Sequence, residues 1–259
     1  MSEQGIVVGC DQKQEWLLPW WWEHYSCHNS YPVAFVDFGM SPRALDWCSK
    51  RGLCIDLPPS KIFHENDIHP SQKDIWEDRY GKGIWFFRSG WFKKPLALLH
   101  SPFSLGLWLD LDCQVNGPLE ALFNSLAFDA EIGMVREPFF IQEYEKSRGF
   151  LLPGEINYNA GVIIFRQNAK ILHHWVEEAI EHNEQYVGDQ AALNRAVFIH
   201  KPSLIELPIQ YNWPRALGLN QESIIYHFSA GSGKIEILKK VNPSLLHLIS
   251  TLTPENFNC

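Results

Sequence analysis

Short apolar runs alternate with helix signals over the first 57 residues, and no other feature of the sequence restricts the fold as strongly. The runs at 5–10, 32–38 and 53–57 are typical of buried strands. Between them, Pro19 and the pair Ser41-Pro42 mark helix starts, because proline fits a first helical turn and serine caps it. The alternation predicts a parallel sheet covered by helices.

Composition and charge exclude several classes of protein. With 46% hydrophobic residues among 259, the chain can build a buried core, which excludes a disordered chain. The net charge of −8 argues against a nucleic-acid-binding surface, since that surface needs clustered lysine and arginine. Its six cysteines form no C-x-x-C pair, and its apolar runs fall far short of a membrane span. We therefore expect a cytoplasmic protein with reduced thiols.

The same pattern continues beyond residue 57 with one interruption. Residues 58–90 are polar and irregular, which predicts a loop region with one short helix near 73–79. The run 105–110 is apolar on both faces, so we expect it to be a central strand. Further strands are predicted at 130–135, 157–165, 204–207 and 224–227, and helices at 91–100, 168–182 and 188–197.

Two carboxylates follow the predicted central strand. Asp110 and Asp112 are spaced i,i+2, so an extended backbone would project both side chains from the same face. Ligands of open α/β sheets bind beyond the carboxyl ends of the strands, and adjacent carboxylates suit a hard divalent cation. The alternative is a loop in which the two aspartates cap a helix or face water.

The Asp110-Leu111-Asp112 segment resembles the Asp-x-Asp motif of nucleotide-sugar glycosyltransferases with the GT-A fold. Four later stretches resemble glycosyltransferase family 8, a group of retaining galactosyl- and glucosyltransferases. They are YNAGVII at 158–164, GDQAALN at 188–194, LPIQYN at 207–212, and Tyr226-His227-Phe228 followed by Gly231 and Lys234. Together with the first strand, these signals span residues 5–234.

This resemblance implies a fold and a domain organisation. The expected fold is α/β, a GT-A (Rossmann-like) nucleotide-sugar-binding domain whose central mixed, mostly parallel sheet is flanked by helices. The domain would occupy residues 1–238, and residues 239–259 would form a C-terminal tail or helix.

It also implies an activity, namely the metal-dependent transfer of a hexose with retention. The donor would be a nucleotide sugar, UDP-glucose or UDP-galactose, and the acceptor a hydroxyl of a saccharide, lipid or protein. Internal return and double displacement through Asp189 or another carboxylate both stay open. Two other classes also stay open: a nucleotidyltransferase, and a GT-A-like protein that binds carbohydrate without turnover.

The family resemblance assigns the metal ligands. Asp110, Asp112 and His227 would hold Mn²⁺ or Mg²⁺, and two carboxylates with one imidazole suit Mn²⁺. Lys234 would add a second positive charge beside the diphosphate. The alternative for His227 is a histidine whose hydrogen bonds are satisfied within the end of a strand.

The remaining candidates would contact the donor. Asn159, Ala160 and Gly161 would lie beside the sugar, and Asp189 and Gln190 at the reaction centre, although Asp189 also fits a helix cap. The first strand and its loop would contact the base and ribose through Val8, Cys10 and Asp11, and Asp11 in an Asx-turn is the alternative. Either Lys93 or Lys94 would contact the diphosphate, and Asp110 and Leu111 complete the donor-binding set.

Three consecutive tryptophans, Trp20, Trp21 and Trp22, fall in the first predicted helix. Three neighbouring side chains on one helix cannot all face the same way. We therefore expect at least one indole to be exposed, at a homodimer contact or a membrane surface.

Overall fold

The structure is a computed structural model and describes residues 3–126 and 129–241. Its strands are β1 (Gln4–Cys10), β2 (Val33–Asp37), β3 (Leu53–Asp56), β4 (Leu105–Leu109), β5 (Cys113–Val115), β6 (Ile132–Arg136), β7 (Tyr158–Arg166), β8 (Leu204–Glu206), β9 (Trp213–Pro214) and β10 (Ile225–His227). Its helices are α1 (Leu18–Ser26), α2 (Pro42–Ser49), α3 (Pro70–Tyr80), α4 (Ile84–Trp91), α5 (Lys94–Leu99), α6 (Glu120–Ser125), α7 (Phe139–Ser147), α8 (Lys170–Glu181), α9 (Asp189–His200) and α10 (Ala230–Val241).

The main sheet contains seven strands within the described ranges, in the order β3-β2-β1-β4-β7-β6-β8. The pairs β1–β2, β2–β3, β1–β4 and β6–β8 are parallel. Strand β7 runs antiparallel to both of its neighbours, β4 and β6. The predicted mixed, mostly parallel sheet flanked by helices is therefore confirmed, with β4 in its centre.

Strand β4 is central because apolar side chains cover both of its faces. Leu107 and Leu109 belong to one buried cluster with residues of α1, α2 and α6. Trp108 points to the other face and joins a second cluster with residues of α5, α8 and α9. Because side chains alternate between the two faces of a strand, this one short strand contributes to the core on both sides of the sheet.

A smaller sheet completes the carboxyl side of β4. Among the described residues it contains three strands in the order β5-β10-β9, with β10 antiparallel to β5 and parallel to β9. Residues 110–112 connect β4 of the main sheet directly to β5 of this smaller one. The two predicted carboxylates therefore lie at the junction of the two sheets.

Two predicted segments differ from the structure. Residues 58–90 contain more helix than expected, because α3 spans eleven residues and α4 begins at Ile84. The single helix predicted at 91–100 is divided between the end of α4 and α5, which begins at Lys94 with Pro95 in its first turn. At the C-terminus, α10 continues across the predicted boundary at 238 to Val241, and the rest of the predicted tail lies outside the described residues.

The expectation that at least one of Trp20, Trp21 and Trp22 is exposed is wrong. Trp20 and Trp21 are 5% and 0% exposed, and Trp22 is half-buried. Each indole packs against a different aromatic ring: Trp20 contacts Phe228, Trp21 stacks on Tyr25, and Trp22 contacts Trp47. Helix α1 is enclosed on several sides, so the proposed dimer or membrane contact through these residues has no exposed indole to support it.

We found no helix in ranges 3–126 and 129–241 that combines the length and the apolar character needed to cross a membrane.

Candidate active site

Carboxylates follow directly after three parallel strands at one edge of the main sheet. Asp11 follows β1, Asp110 follows β4, and Glu137 follows β6. Antiparallel strand β7 begins at this edge, so Asn159 and Gly161 lie beside the ends of β6 and β4. The Asp110 N–H donates to the Gly161 carbonyl at 2.8 Å. Topology alone therefore gathers the polar residues of four strands.

The smaller sheet adds a histidine to this edge. Cys113, which starts β5, pairs with His227, the last residue of β10. The Phe228 N–H donates to the Asp112 carbonyl at 2.9 Å, which extends this pairing past the strand end. Pairing of β5 with β10 thus places His227 beside Asp112, although the two residues are far apart in the sequence.

Each aspartate uses one oxygen for a protein donor and turns the other towards His227. Asp110 Oδ1 accepts from Trp108 Nε1 at 2.7 Å, while its Oδ2 lies 3.9 Å from His227 Nε2. Asp112 Oδ2 accepts from Lys234 Nζ at 2.5 Å, while its Oδ1 lies 3.4 Å from the same Nε2. Both aspartates therefore face the same ring nitrogen, and the structure brings together the predicted residues Asp110, Asp112, His227 and Lys234.

This donor set fits a divalent cation. Two ligand atoms on one octahedral Mg²⁺ lie about 3 Å apart, which is close to the separations from His227 Nε2. Burial opposes the charge on Asp112, but Lys234 and His227 outweigh it and hold the pKa of Asp112 well below its usual range. Burial likewise opposes the charge on His227, but Asp112 and Asp110 raise its pKa. The site favours the ionised carboxylate that a metal ligand needs.

A cysteine also lies near these ligands. Asp112, Cys113 and His227 each offer one ligand atom, and the three atoms lie within 4.8 Å of one another. Burial raises the pKa of Cys113 well above its usual value, and its Sγ donates to the Gly161 carbonyl at 3.6 Å. A protonated thiol is a poor ligand for Mn²⁺ or Mg²⁺, so Asp110 is the better third ligand.

The structure separates Lys93 from Lys94. Lys94 is buried, with its Nζ 3.0 Å from Asp110 Oδ1, 2.8 Å from Asp189 Oδ2 and 3.2 Å from the Ala160 carbonyl. Burial lowers the pKa of Lys94, but the two carboxylates outweigh it and raise the pKa overall. Lys93 instead donates to the Phe38 carbonyl at 2.6 Å. Of the two lysines, Lys94 joins the cluster of carboxylates.

Asp189 is the first residue of α9, and its carboxylate accepts a hydrogen bond from the Gln190 N–H in the first turn. The N-cap residue is Gly188, and Asp189 is buried against Lys94. Burial raises the pKa of Asp189 although Lys94 opposes this. Next to it, Gln190 Oε1 accepts from the Ala160 N–H at 3.1 Å and its Nε2 donates to Asn157 Oδ1 at 3.0 Å. Both predicted reaction-centre residues therefore lie beside the start of β7.

The other residues predicted to contact the donor could do so mainly through their main-chain atoms. The side chains of Val8, Cys10 and Leu111 belong to the buried core, so only their main-chain atoms could meet a ligand. Asp11 Oδ1 accepts from the backbone N–H groups of Lys13 and Gln14, each at 3.0 Å, which is the Asx-turn considered above. Burial raises the pKa of Asp11.

Sequence reasoning missed three polar contacts of this site. Glu137 accepts from Asn159 Nδ2 at 2.7 Å, Asn212 bonds to His227, and the Trp108 indole holds Asp110. Glu137 has a readable signal, because it follows a strand as directly as Asp110 does. The sequence gives no such signal for Trp108, because a tryptophan within an apolar strand is expected to pack in the core.

Known proteins were compared with this chain by sequence and by structure. No protein-family profile and no curated sequence matches it. Among solved structures, the galactosyltransferase LgtC, in complex with donor and acceptor sugar analogs, superposes with a TM-score of 0.58 over 86% of each chain, at 16% identity. The chain has the GT-A fold.

Two further GT-A structures agree. The glycosyltransferase GlyE of Streptococcus pneumoniae matches with a TM-score of 0.58 and 16% identity, over 89% of this chain and 55% of that one. Mouse xyloside xylosyltransferase 1 matches with a TM-score of 0.52 and 14% identity, over 86% and 97%. At sequence identities of 14–16%, the structural similarity establishes the GT-A fold and does not establish the reaction.

Proposed function

We propose that this protein is a metal-dependent glycosyltransferase that moves a hexose from a nucleotide sugar, UDP-glucose or UDP-galactose, to a hydroxyl acceptor with retention. One observation carries the proposal: in a GT-A fold, Asp110 Oδ2 and Asp112 Oδ1 both face His227 Nε2, at 3.9 and 3.4 Å, beyond the carboxyl end of the central strand. The structural neighbour LgtC has been solved with donor and acceptor sugar analogs, which agrees with a sugar donor and an acceptor for this chain.

The residues around the ligands suit a departing diphosphate. A bound Mn²⁺ or Mg²⁺ would supply Lewis-acid stabilisation of the negative charge that grows on the leaving group. Lys234 lies 2.5 Å from Asp112 and is close enough to place its positive charge beside the same phosphates. Lys94 holds Asp110 in position from the protein side.

The sugar would lie towards Asp189, Gln190 and the start of β7. Asp189 is fixed by Lys94, and Gln190 by the Ala160 N–H, so the side chains that would face the donor sugar are held before it binds. Rigid positioning of this kind lowers the entropic cost of reaching the transition state. Gly161 lies against the His227 imidazole on this side, so a Cβ at this position would overlap the ring.

Thermal shift and donor turnover test the proposal together. We expect stabilisation by UDP that requires Mn²⁺, and release of UDP from UDP-glucose or UDP-galactose. Asp110→Asn and Asp112→Asn should abolish both effects. Asp46→Asn is the matched control, because Asp46 is exposed and pairs only with the neighbouring Lys50 among the described residues.

Other outcomes point to the other classes. Stabilisation by ATP with no response to UDP would favour a nucleotidyltransferase. Stabilisation by Mn²⁺ and UDP without release of UDP, over a panel of nucleotide sugars and acceptors, would favour a protein that binds the donor without turnover. Unchanged turnover in Asp110→Asn and Asp112→Asn would refute the metal-dependent mechanism.

A further inference from the structure

We infer that Asn159 and Asn212 form a hydrogen-bond relay that holds His227 with its proton on Nδ1 and its free lone pair on Nε2. The relay starts at two fixed groups, the Gly161 N–H and the Glu137 carboxylate, and ends at the imidazole ring. The inference deepens the proposed function, because it assigns positioning residues to the metal ligand on which that function rests.

The orientation of the Asn159 amide is determined at the start of the relay. Asn159 Oδ1 accepts from the Gly161 backbone N–H at 2.8 Å, and Asn159 Nδ2 donates to Glu137 Oε1 at 2.7 Å. A backbone N–H can only donate, and a carboxylate oxygen accepts. Rotating the amide by 180° would place like groups opposite each other at both ends, so the oxygen of Asn159 must face Gly161.

The orientation of the Asn159 amide determines that of the Asn212 amide. Asn159 Oδ1 also lies 2.8 Å from the Asn212 side chain, and an oxygen at that distance requires a donor, so Asn212 must present Nδ2. The oxygen of Asn212 then faces His227 Nδ1 at 3.0 Å. Because an amide oxygen has no proton to donate, Nδ1 must carry the hydrogen.

Burial keeps water away from the relay. Asn212 is 2% exposed and His227 is 6% exposed, so water has little access to the bond between them. With the proton on Nδ1, the Nε2 lone pair faces Asp112 Oδ1 and Asp110 Oδ2, at 3.4 and 3.9 Å. Histidine ligands are ordinarily oriented by a partner on the second ring nitrogen, and Asn212 fills that place here.

The relay also changes the role expected for Asn159. Its oxygen already accepts two hydrogen bonds and one N–H is given to Glu137, which leaves a single N–H for a sugar hydroxyl. Asn159 and Asn212 are therefore positioning residues that act through His227.

Nitrogen-15 NMR of histidine-labelled, metal-free protein tests the relay directly. At a pH where the ring is neutral, we expect His227 to carry its proton on Nδ1, with the signal assigned by its loss in His227→Gln. In Asn212→Leu this tautomer should no longer dominate, and Mn²⁺ affinity, followed by EPR of free Mn²⁺, should fall about 10–100-fold. Asn212→Asp keeps an acceptor for Nδ1 and should keep the tautomer, although it loses the hydrogen bond that Asn212 Nδ2 donates to Asn159 Oδ1.

The control variant is Asn183→Leu. Asn183 is as buried as Asn212 but lies at Arg88 and Phe63, outside the relay. We expect it to lose stability and keep the tautomer and the Mn²⁺ affinity. A neutral His227 with its proton on Nε2 would overturn the relay, as would an Asn212→Leu protein that binds Mn²⁺ like the wild type.

The two experiments separate the relay from the proposed function. The NMR measurement uses no metal, so it decides the relay even in a protein that binds no Mn²⁺. A wild-type protein with the Nδ1 tautomer but no Mn²⁺ binding would support the relay and refute metal-dependent transfer. If Asn212→Leu does not fold, the wild-type tautomer and Asn212→Asp still give the answer.

Discussion

The imidazole of His227 packs directly on the backbone of Gly161, and a Cβ at residue 161 would overlap the ring atoms Cε1, Nδ1 and Nε2. Gly161 also receives the N–H of Asp110 on its carbonyl. We therefore expect Gly161→Ala to displace His227 from the two aspartates and to weaken Mn²⁺ binding about 10–100-fold, measured by EPR or calorimetry.

Gly117→Ala is the control for that substitution. Its Cβ would lie 3.3 Å from the Cδ1 atom of Ile224, the flexible end of a side chain that can move aside. We expect Mn²⁺ affinity to stay within twofold of the wild type, and equal losses in both variants would mean that general destabilisation is responsible.

Lys94 and Lys93 should differ sharply when each is replaced by methionine. Lys94→Met leaves the buried Asp189 and the partly buried Asp110 without their shared cation, so we expect a loss of about 3–5 kcal/mol in the free energy of unfolding and loss of turnover. Lys93→Met removes one bond to the Phe38 carbonyl and should cost about 0.5–1.5 kcal/mol. Urea denaturation measures both, and similar costs would contradict the assigned difference.

Lys234→Met should have opposite effects on two ligands. Lys234 competes with a cation for Asp112, so its removal should raise the affinity for Mn²⁺ alone by about tenfold. The same change removes a positive charge from the diphosphate and should lower the affinity for UDP in the presence of Mn²⁺. Lys240→Met, on the same helix and paired with Glu236, is the control and should alter neither affinity. If both affinities fell in Lys234→Met, the competition with Mn²⁺ would be disproved.

The indoles of α1 should contribute unequally to stability. Trp21 is 0% exposed and stacks on Tyr25, so Trp21→Ala should cost about 3–5 kcal/mol in the free energy of unfolding. Trp22 is half-buried, and Trp22→Ala should cost less, about 1–2 kcal/mol. Denaturant titration checks the order, and a larger loss in Trp22→Ala would show that the burial of α1 is misassigned.

The parts of the site that follow strands could be predicted from sequence. The apolar run before Asp110 shows that a central strand ends there, and parallel strands bring their carboxyl ends to one edge. Asp112 follows from the same spacing. His227 depended on the family resemblance, since nothing in its local sequence indicates that β10 pairs with β5.

Contacts that depend on side-chain geometry could not be predicted. The choice between Lys93 and Lys94 is decided by the break between α4 and α5, which turns Lys94 towards β4 and Lys93 towards the Phe38 carbonyl. The burial of Trp22 depends on α2, because Trp47 of that helix covers the indole. Neither relation appears in local spacing, because both depend on how separate elements pack.

The pairing of β5 with β10 has a consequence for how the protein is made. Because Cys113 and His227 are distant in the sequence, this contact closes a long loop and is entropically costly to form early in folding. A nascent chain that has emerged from the ribosome only as far as α9 can already contain most of the main sheet, yet it lacks the third ligand. Binding of a divalent cation at Asp110, Asp112 and His227 would then stabilise, by mass action, only the chain in which β5 and β10 have paired.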